Sequence, residues 1–441
     1  MTINNDLISI SVSNLDAWFD TMRNERGYCG PVSHWWQNCL LYTDVGFDWR
    51  YEGIIIGYLN LYEKTRDRTW LKKAKRAGHD LVRGQLENGN FRNSSFEQNP
   101  KIGGTPHEAA VDIGLLRLAK VLKENGDGEW KTFLASASKN IKECYIGKLW
   151  DEGEKTFRDT VFHRSFVPNK NATLSEALFL LAELTNKEEY IDKYAIPTVD
   201  NIVKYQILDK KSLFYGAIYQ MSIKTDKNVE FTPKFFPFYV ARCIPALVEA
   251  YKLTGEESYI ASANIATKFI IKNQLDGGFT QVVYGNGRIA RYPQWIAGIG
   301  DILRAVKLME SYGLKFQLDR SIRHMLSGQD ECGGIRAAYG FAVQTSSQEY
   351  DGLPDFRDIL HVCGWNDKAF RFLTEILPVD SEISEPTIDE TASKCVLKGQ
   401  KCMFMENKKE VELKNINTKR IIYKWKKGEP WAQMDIRYLL R

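Results

Sequence analysis

The feature that most restricts what this chain can fold into is a repeat. Three polar loops, GQLENGNF (84–91), NQLDGGF (273–279) and GQDECGGI (328–335), each place a Gln four residues ahead of a Gly. Before each Gln runs an amphipathic stretch, such as TWLKKAKRAGHDLVRGQ or SYIASANIATKFIIKNQ, with apolar residues recurring every three or four positions. Other stretches are apolar nearly all round: YEGIIIGYLNLYEKT, HEAAVDIGLLRLAKVLKEN, LSEALFLLAELT and YVARCIPALVEAYKLT. A helix of the second kind is buried and one of the first packs outside it, so the pattern predicts alternating inner and outer helices. The turns between them keep register: Trp70, Trp130, Tyr190 and Tyr259 follow polar turn residues at intervals of 60, 60 and 69, with Phe316 a degenerate fifth. Units of this period cannot bury their own apolar faces and must stack or close on one another. A sixth unit starting near Asp355 and an N-terminal helix around Leu15 to Met22 supply the closing pair. The expectation is all-α: an (α/α)6 toroid of about six helical hairpins over residues 1–377.

Beyond Pro378 the pattern changes. Residues 378–393 read as a polar connector, and from Lys394 the short alternating runs KCVLKG, KCMFMEN, EVELKN and RIIYKW predict a small antiparallel β region over 394–441. That region holds 13 Lys and Arg against 5 Asp and Glu, within a chain total of only +4. The total gives no reason to expect a nucleic-acid partner, and the basic residues read as the solvated face of a sheet, or as a patch for an acidic glycan. No stretch approaches the length of a membrane span, and the start lacks a basic segment followed by an apolar run. The eight cysteines (29, 39, 144, 243, 332, 363, 395 and 402) lack a CxxC pair, which favours reduced, buried thiols and a cytoplasmic setting. GGTPH and YGNGR match no phosphate-binding pattern, and no cofactor is expected. The Asn-X-Ser/Thr strings at Asn93 and Asn171 read as polar loops.

The alternation and its Gln…Gly-Gly-Phe loops resemble the α/α-toroid proteins: six-hairpin glycosidases, related polysaccharide lyases and epimerases, and terpenoid cyclases with protein prenyltransferase β subunits. FRDILHVCGW (356–365) is similar to the prenyltransferase stretch with a zinc-binding His, which would be His361. The resemblance implies an Asp and a Cys ahead of Trp295 to complete that site, but those positions are Ile289 and Arg291, and a lone His loses most affinity for zinc. No metal is therefore expected. The sequence also lacks the Asp-rich DxDD string of squalene-type cyclases.

In such toroids the starts of the inner helices line the central cavity. Here they bring together Asp44, Asp48, Glu52, Glu108, Glu176, Asp355, Asp358, His107, His361 and Arg50, Arg242, Arg291, Arg357, with Tyr51, Tyr292 and Trp295. Carboxylates for acid/base work, aromatic faces for pyranose rings and arginines for uronates are what a sugar site needs. Asp48, His107, Glu108, Asp358 and His361 are the candidate catalytic residues. Arg50, Tyr51, Glu176, Arg242, Arg291, Tyr292, Trp295 and Arg357 are the candidate substrate ligands. Structural roles compete with each: Asp48 as a helix cap, Glu108 and Glu176 as dipole-stabilising acids, Tyr292 and Trp295 as wall packing. Asp112, Asp301, His79 and His324 read as structural. The functional expectation is an enzyme of polysaccharide metabolism acting on a glycosidic bond or a uronic-acid centre of a possibly acidic oligosaccharide, as a hydrolase, lyase or epimerase. A non-catalytic glycan-binding toroid and a terpenoid-type toroid without zinc are the alternatives.

Overall fold

The structure is a computed structural model that describes residues 4–33, 43–92, 104–224, 229–344 and 352–438. Its helices run in the order α1 (Asn5–Thr21), α2 (Arg50–Thr65), α3 (Arg68–Gly84), α4 (Ala109–Glu124), α5 (Trp130–Asn140), α6 (Pro168–Thr185), α7 (Ile196–Lys204), α8 (Pro237–Thr254), α9 (Glu257–Lys272), α10 (Gly300–Glu310), α11 (Leu318–Leu326), the short α12 (Phe341–Gln344) and α13 (Phe356–Ile359), and α14 (Cys363–Ile376). Helices α2, α4, α6, α8, α10 and α14 each pack on the next, and α14 returns to α2, closing an inner ring. An outer helix lies against each: α3, α5, α7, α9 and α11 follow their inner partners, and α1 covers α14. The fold is an (α/α)6 toroid.

The sequence explains how tightly the ring closes. Gly53 and Gly57 on α2 face α14, where an added Cβ would sit 2.3 Å from the Asp367 carbonyl and 2.3 Å from the Phe370 ring. At the other flank Gly300 on α10 meets the Lys368 carbonyl at 2.2 Å in the same sense. The last inner helix thus wedges between two glycine-bearing faces. The inner-to-outer turns are equally local: Arg66 ends α2 in the left-handed region (φ 59°) and Asp67 immediately caps α3 by accepting from the Thr69 amide. Trp70, Trp130, Tyr190 and Tyr259 stand in the opening turns of outer helical segments, as the register requires.

The repeated Gln is a stitch between neighbouring outer helices. Gln85 donates to the Gly89 carbonyl (3.0 Å) and to that of Ser136 on α5 (2.9 Å). Gln206 makes the same pair of bonds to Gly216 and to Ser262 on α9, both at 3.1 Å. Gln274 reaches the Ser321 hydroxyl on α11 (2.8 Å), and Gln329 donates to Gly333 (2.9 Å) and to Ser11 on α1 (3.1 Å). The loop needs glycine because Gly89 and Gly333 sit at φ 85° and 94°, where a side chain is strained.

The C-terminal sheet has five antiparallel strands in sequential order, 391–397, 400–406, 410–415, 421–426 and 433–434, so the first starts three residues before Lys394. The connector before it is pinned to α1, with the Ser384 amide on Ser9 (2.9 Å) and the Thr387 amide on Asn14 (2.8 Å). Much of the basic charge is answered inside the sheet: Lys424 pairs with Glu410 at 3.0 Å, and Lys427 with Glu406 at 2.8 Å. The seven described cysteines are buried and unbonded, while Cys39 and Asn93 lie outside the described residues. Asn171 is not in a polar loop: it is fully buried in α6 and bonded to the Phe157 and Val167 carbonyls. No helix among the described residues is long and apolar enough to cross a membrane.

Candidate active site

A cavity of about 300 Å³ opens where the inner helices begin, and all six units line it. Trp49 precedes α2, His107 lies in the Pro106–Glu108 turn before α4, and Asn169 and Lys170 open α6. Arg242 comes from α8, Asp301 from α10, and Trp365 and Lys368 from α14. The rings interlock: Trp295 stacks on Trp365 (4.8 Å, 28°), Phe238 meets Trp365 edge-on at 5.6 Å, and Trp49 packs against His107 at 5.2 Å. The Trp49 indole donates to the Gly364 carbonyl (2.8 Å) and that of Trp365 to Ser33 (2.7 Å), so these faces are held rather than loose.

The floor is charged and dry. Glu52, fully buried, accepts two bonds from Arg242 Nη2 (2.8 and 3.0 Å) and one from Arg371 (2.5 Å), with Lys368 Nζ at 3.5 Å. Burial opposes charge on this carboxyl, yet Arg242, Arg371 and Lys368 together hold it well below the usual range. The same contest, with Lys368 and then Arg242 winning over burial, lowers Asp301. Asp367, 2.9 Å from Lys368, goes the other way: burial lifts it to about 7 against the pull of that lysine. Several polar atoms at this floor lack a hydrogen-bond partner among the described residues, and two of them belong to side chains that line the cavity. These two are Arg242 Nη1 and Asp301 Oδ1, on side chains 3% and 4% exposed and 3.8 Å apart at their closest charged atoms. A donor and an acceptor side by side, beneath stacked indoles, suit neighbouring hydroxyls of a sugar or the water that stands in for them. On the rim Asp159 pairs with Lys170 at 3.0 Å.

Of the residues expected at this mouth, His107, Arg242 and Trp295 line it. The others serve elsewhere. Asp48 and Arg50 neutralise each other in a buried two-pronged pair (2.8 and 3.0 Å), and the Tyr51 hydroxyl accepts from the Tyr28 amide. Glu108 closes a capping box on Thr105, and Asp358 does so on Asp355 while also accepting from the Phe341 amide. Burial lifts Asp358 to about 6. Arg357 forks onto Asp355 and lies over the Phe341 ring, Arg291 is exposed, and Tyr292 packs edge-on against Tyr339. Glu176 faces a different cavity at the other end of the ring. Units one, two and six do converge, but through Trp49, His107 and Trp365 rather than Asp48, Glu108 and Asp358. Sequence reasoning passed over Asp301 and Lys368 at this floor. Asp301 follows Trp295 by six positions at an inner-helix start, the same signal that picked out Glu108.

His361 lies off the cavity, where the toroid meets the C-terminal sheet. Its Nδ1 is 2.8 Å from Glu406 and its Nε2 3.0 Å from Asp330, and Trp18 also donates to Glu406 at 2.8 Å. Burial works against its charge, but Cys332, Glu406 and the Asp330 bond raise its pKa well above 6.5, so the ring is an imidazolium clasp. Cys332, His361 and Glu406 have ligand atoms within 4.8 Å of one another. Both imidazole nitrogens already face carboxylates, and Lys427 answers Glu406, which suits a proton better than a cation. Ile289 and Arg291 are not among the groups bonded to His361.

The closed ring is an α/α toroid, a fold it shares with solved structures. Among solved structures the chain is similar to an unsaturated glucuronyl hydrolase specific for heparin, at 14% identity and TM-score 0.61 over 84% of this chain and 97% of that one. It is similar to a cellobiose 2-epimerase from Bacillus thermoamylovorans, at 13% identity and TM-score 0.60 over 84% and 99%. An α-1,6-mannanase from a Salegentibacter species matches at 13% identity and TM-score 0.55 over 84% and 98%, and an inactive variant of it, with two adjacent aspartates replaced by asparagine, was solved with α-1,6-mannotriose. No protein-family model matches the sequence, and no curated protein matches it.

Proposed function

We propose that the chain is a carbohydrate-active enzyme of polysaccharide metabolism whose glycan substrate enters the aromatic mouth cavity. The observation that carries this reading is the unmet pair Arg242 Nη1 and Asp301 Oδ1 under the Trp295–Trp365 stack. Indole faces take the apolar face of a pyranose, and a fixed donor and acceptor orient its hydroxyls.

The cavity-lining charges favour a uronic-acid centre. Lys170, Arg242 and Lys368 line the cavity with Asp159 and Asp301, and Arg242, whose Nη2 is held by Glu52, keeps Nη1 without a hydrogen bond for a sugar carboxylate. A neutralised carboxylate makes the adjacent C–H easier to deprotonate, and His107, held against Trp49, is the acid/base group in reach of that chemistry. This is proton transfer, as in a lyase or epimerase. Hydrolysis is the second reading, favoured by the glycosidases among the structural neighbours. No two aspartates are adjacent in this sequence. A hydrolytic pair would therefore come from separate units, Asp301 with Asp159, and needs a spacing of roughly 5 to 9.5 Å.

Incubation with uronic and neutral oligosaccharides in deuterated water separates these readings. Deuterium entering beside the sugar carboxylate supports epimerisation, new reducing ends with an ultraviolet-absorbing C=C bond support a lyase, and new reducing ends without that bond that vanish in Asp301→Asn support hydrolysis. Binding without any of these is the outcome for a glycan-binding toroid, and no binding of any glycan overturns the proposal.

A further inference from the structure

The other end of the ring holds a larger cavity, about 930 Å³, between the C-terminal halves of the inner helices. Leu59, Ile113, Phe179, Leu180, Val248 and Leu308 give it apolar walls. Charged side chains line it too, seven glutamates, three lysines and three arginines, and of the arginines Arg304 on α10 and Arg371 on α14 carry buried guanidinium atoms without a partner. Arg371 gives Nη1 to Glu52, but its Nε is buried without a partner among the described residues. Arg304 makes no hydrogen bond or ion pair with a described residue, and its Nε is buried too. Burial and then Arg371 lower the Arg304 pKa against the pull of Glu176 and Asp301, neither of which is hydrogen-bonded to it, and Arg242 adds to the repulsion. Glu52 cannot serve it, being shared already by Arg242, Arg371 and Lys368. Glu176 lines the same cavity with its Oε1 also buried and unmet.

An arginine cannot shed its proton to escape such a setting. Guanidinium donors buried without an acceptor are strongly unfavourable, so a missing oxyanion is the simplest completion of this arrangement. We propose that the base cavity is a second ligand site, in which Arg304 and Arg371 hold the oxyanion of a small hydroxylated organic molecule, a carboxylate or a phosphate ester, while Glu176 accepts from a hydroxyl. Guanidinium forks suit both oxyanions, and the aliphatic walls accommodate the organic body. The site is distinct from the mouth. It communicates with it through Glu52, because an anion that draws Arg371 away leaves that carboxylate to Arg242 beside Asp301.

The test uses the full chain in a chloride-only buffer. Sodium phosphate, sodium glucuronate and glucose 6-phosphate are titrated separately, with glucose and sodium chloride as controls, and thermal stability and binding heat are read. The anionic sugars should raise the melting temperature beyond the chloride control and bind more tightly than inorganic phosphate. Whichever of glucuronate and glucose 6-phosphate binds better identifies the oxyanion. Arg304→Met should weaken that binding roughly 10- to 100-fold, the range for hydrogen bonds to a charged group. In chloride alone the same variant should be at least as stable as the parent, because it removes a buried donor that has no acceptor. His107→Ala should keep the response, which assigns it to the base. An Arg304→Met protein that responds like the parent, or that is markedly less stable in chloride alone, would overturn the proposal. Inorganic phosphate binding as tightly as the sugars would overturn the organic ligand.

Discussion

The two ends of the inner ring are made by the same six helices and yet hold opposite chemistry. At the mouth, where the helices start, indoles form the walls and the cations at the floor each face a carboxylate. At the base, where they finish, aliphatic side chains share the walls with charged ones, and Arg304 has no hydrogen bond to a described residue. Helix starts favour anions and helix ends favour cations, so arginines at the base are placed where the backbone tolerates them. A charge therefore says little about function until its compensation is known. Asp48 and Arg50 cancel each other, whereas Arg242, Asp301 and Arg304 each keep an atom to offer.

The greatest separation between the ends should come from His107→Ala. Turnover of a glycan at the mouth should fall ~100- to 10,000-fold, with anion-induced stabilisation at the base unchanged; a loss of both would show that the ends are one site. Glu52→Gln should act on both at once. It strips Arg242, Arg371 and Lys368 of their shared anion and should cost ~3–5 kcal/mol in chemical denaturation; a silent Glu52→Gln would sink the idea of a common partition. His361→Ala belongs to neither end and should cost about 3 kcal/mol by leaving Asp330 and Glu406 buried without their imidazolium, while sparing both ligand responses. The His361 pKa is raised above 6.5, so its ion pairs contribute fully below that value and fade as pH climbs through the raised one. Denaturation midpoints of the parent should accordingly decline in alkali more than those of His361→Ala. Metal analysis should find no tightly bound zinc, and one zinc per chain lost in that variant would replace the clasp with a metal centre. The mildest change, Gln329→Ala, removes two neutral hydrogen bonds, one of them across the ring closure to Ser11, and should cost ~1–2 kcal/mol, shifting neither end relative to the other.

The ring was legible because period and amphipathicity are properties of the chain alone. The Gln–Gly marks and the aromatic turn anchors each report a local bond or turn, so they survive without knowledge of the tertiary structure. Gln206 escaped because its loop stretches to Gly216, ten residues on. The site was only half legible for the converse reason. Position at an inner-helix start is readable, but which way a side chain turns depends on neighbours from other units. Asp48 turned to Arg50 two residues away and Glu108 to its own cap, while Asp301, the second residue of its helix, lines the cavity. Glu176 sits beyond the opening turns of the long helix α6, which carries it past the floor to the base.

The hairpin that completes the circle has one leg from each extremity of the described chain. Helix α1 waits more than 340 residues for α14, its partner. Closing so long a loop costs chain entropy that local hairpins do not pay, and during synthesis the first helix emerges long before its neighbour exists. Helix α1 should thus be the last to gain protection in pulsed hydrogen exchange during refolding. A circular permutant that joins the segment after the C-terminal sheet to α1, opened in the turn near Gly126, would place α1 after α14 with only the connector and sheet between them and so shorten that late, distant pairing.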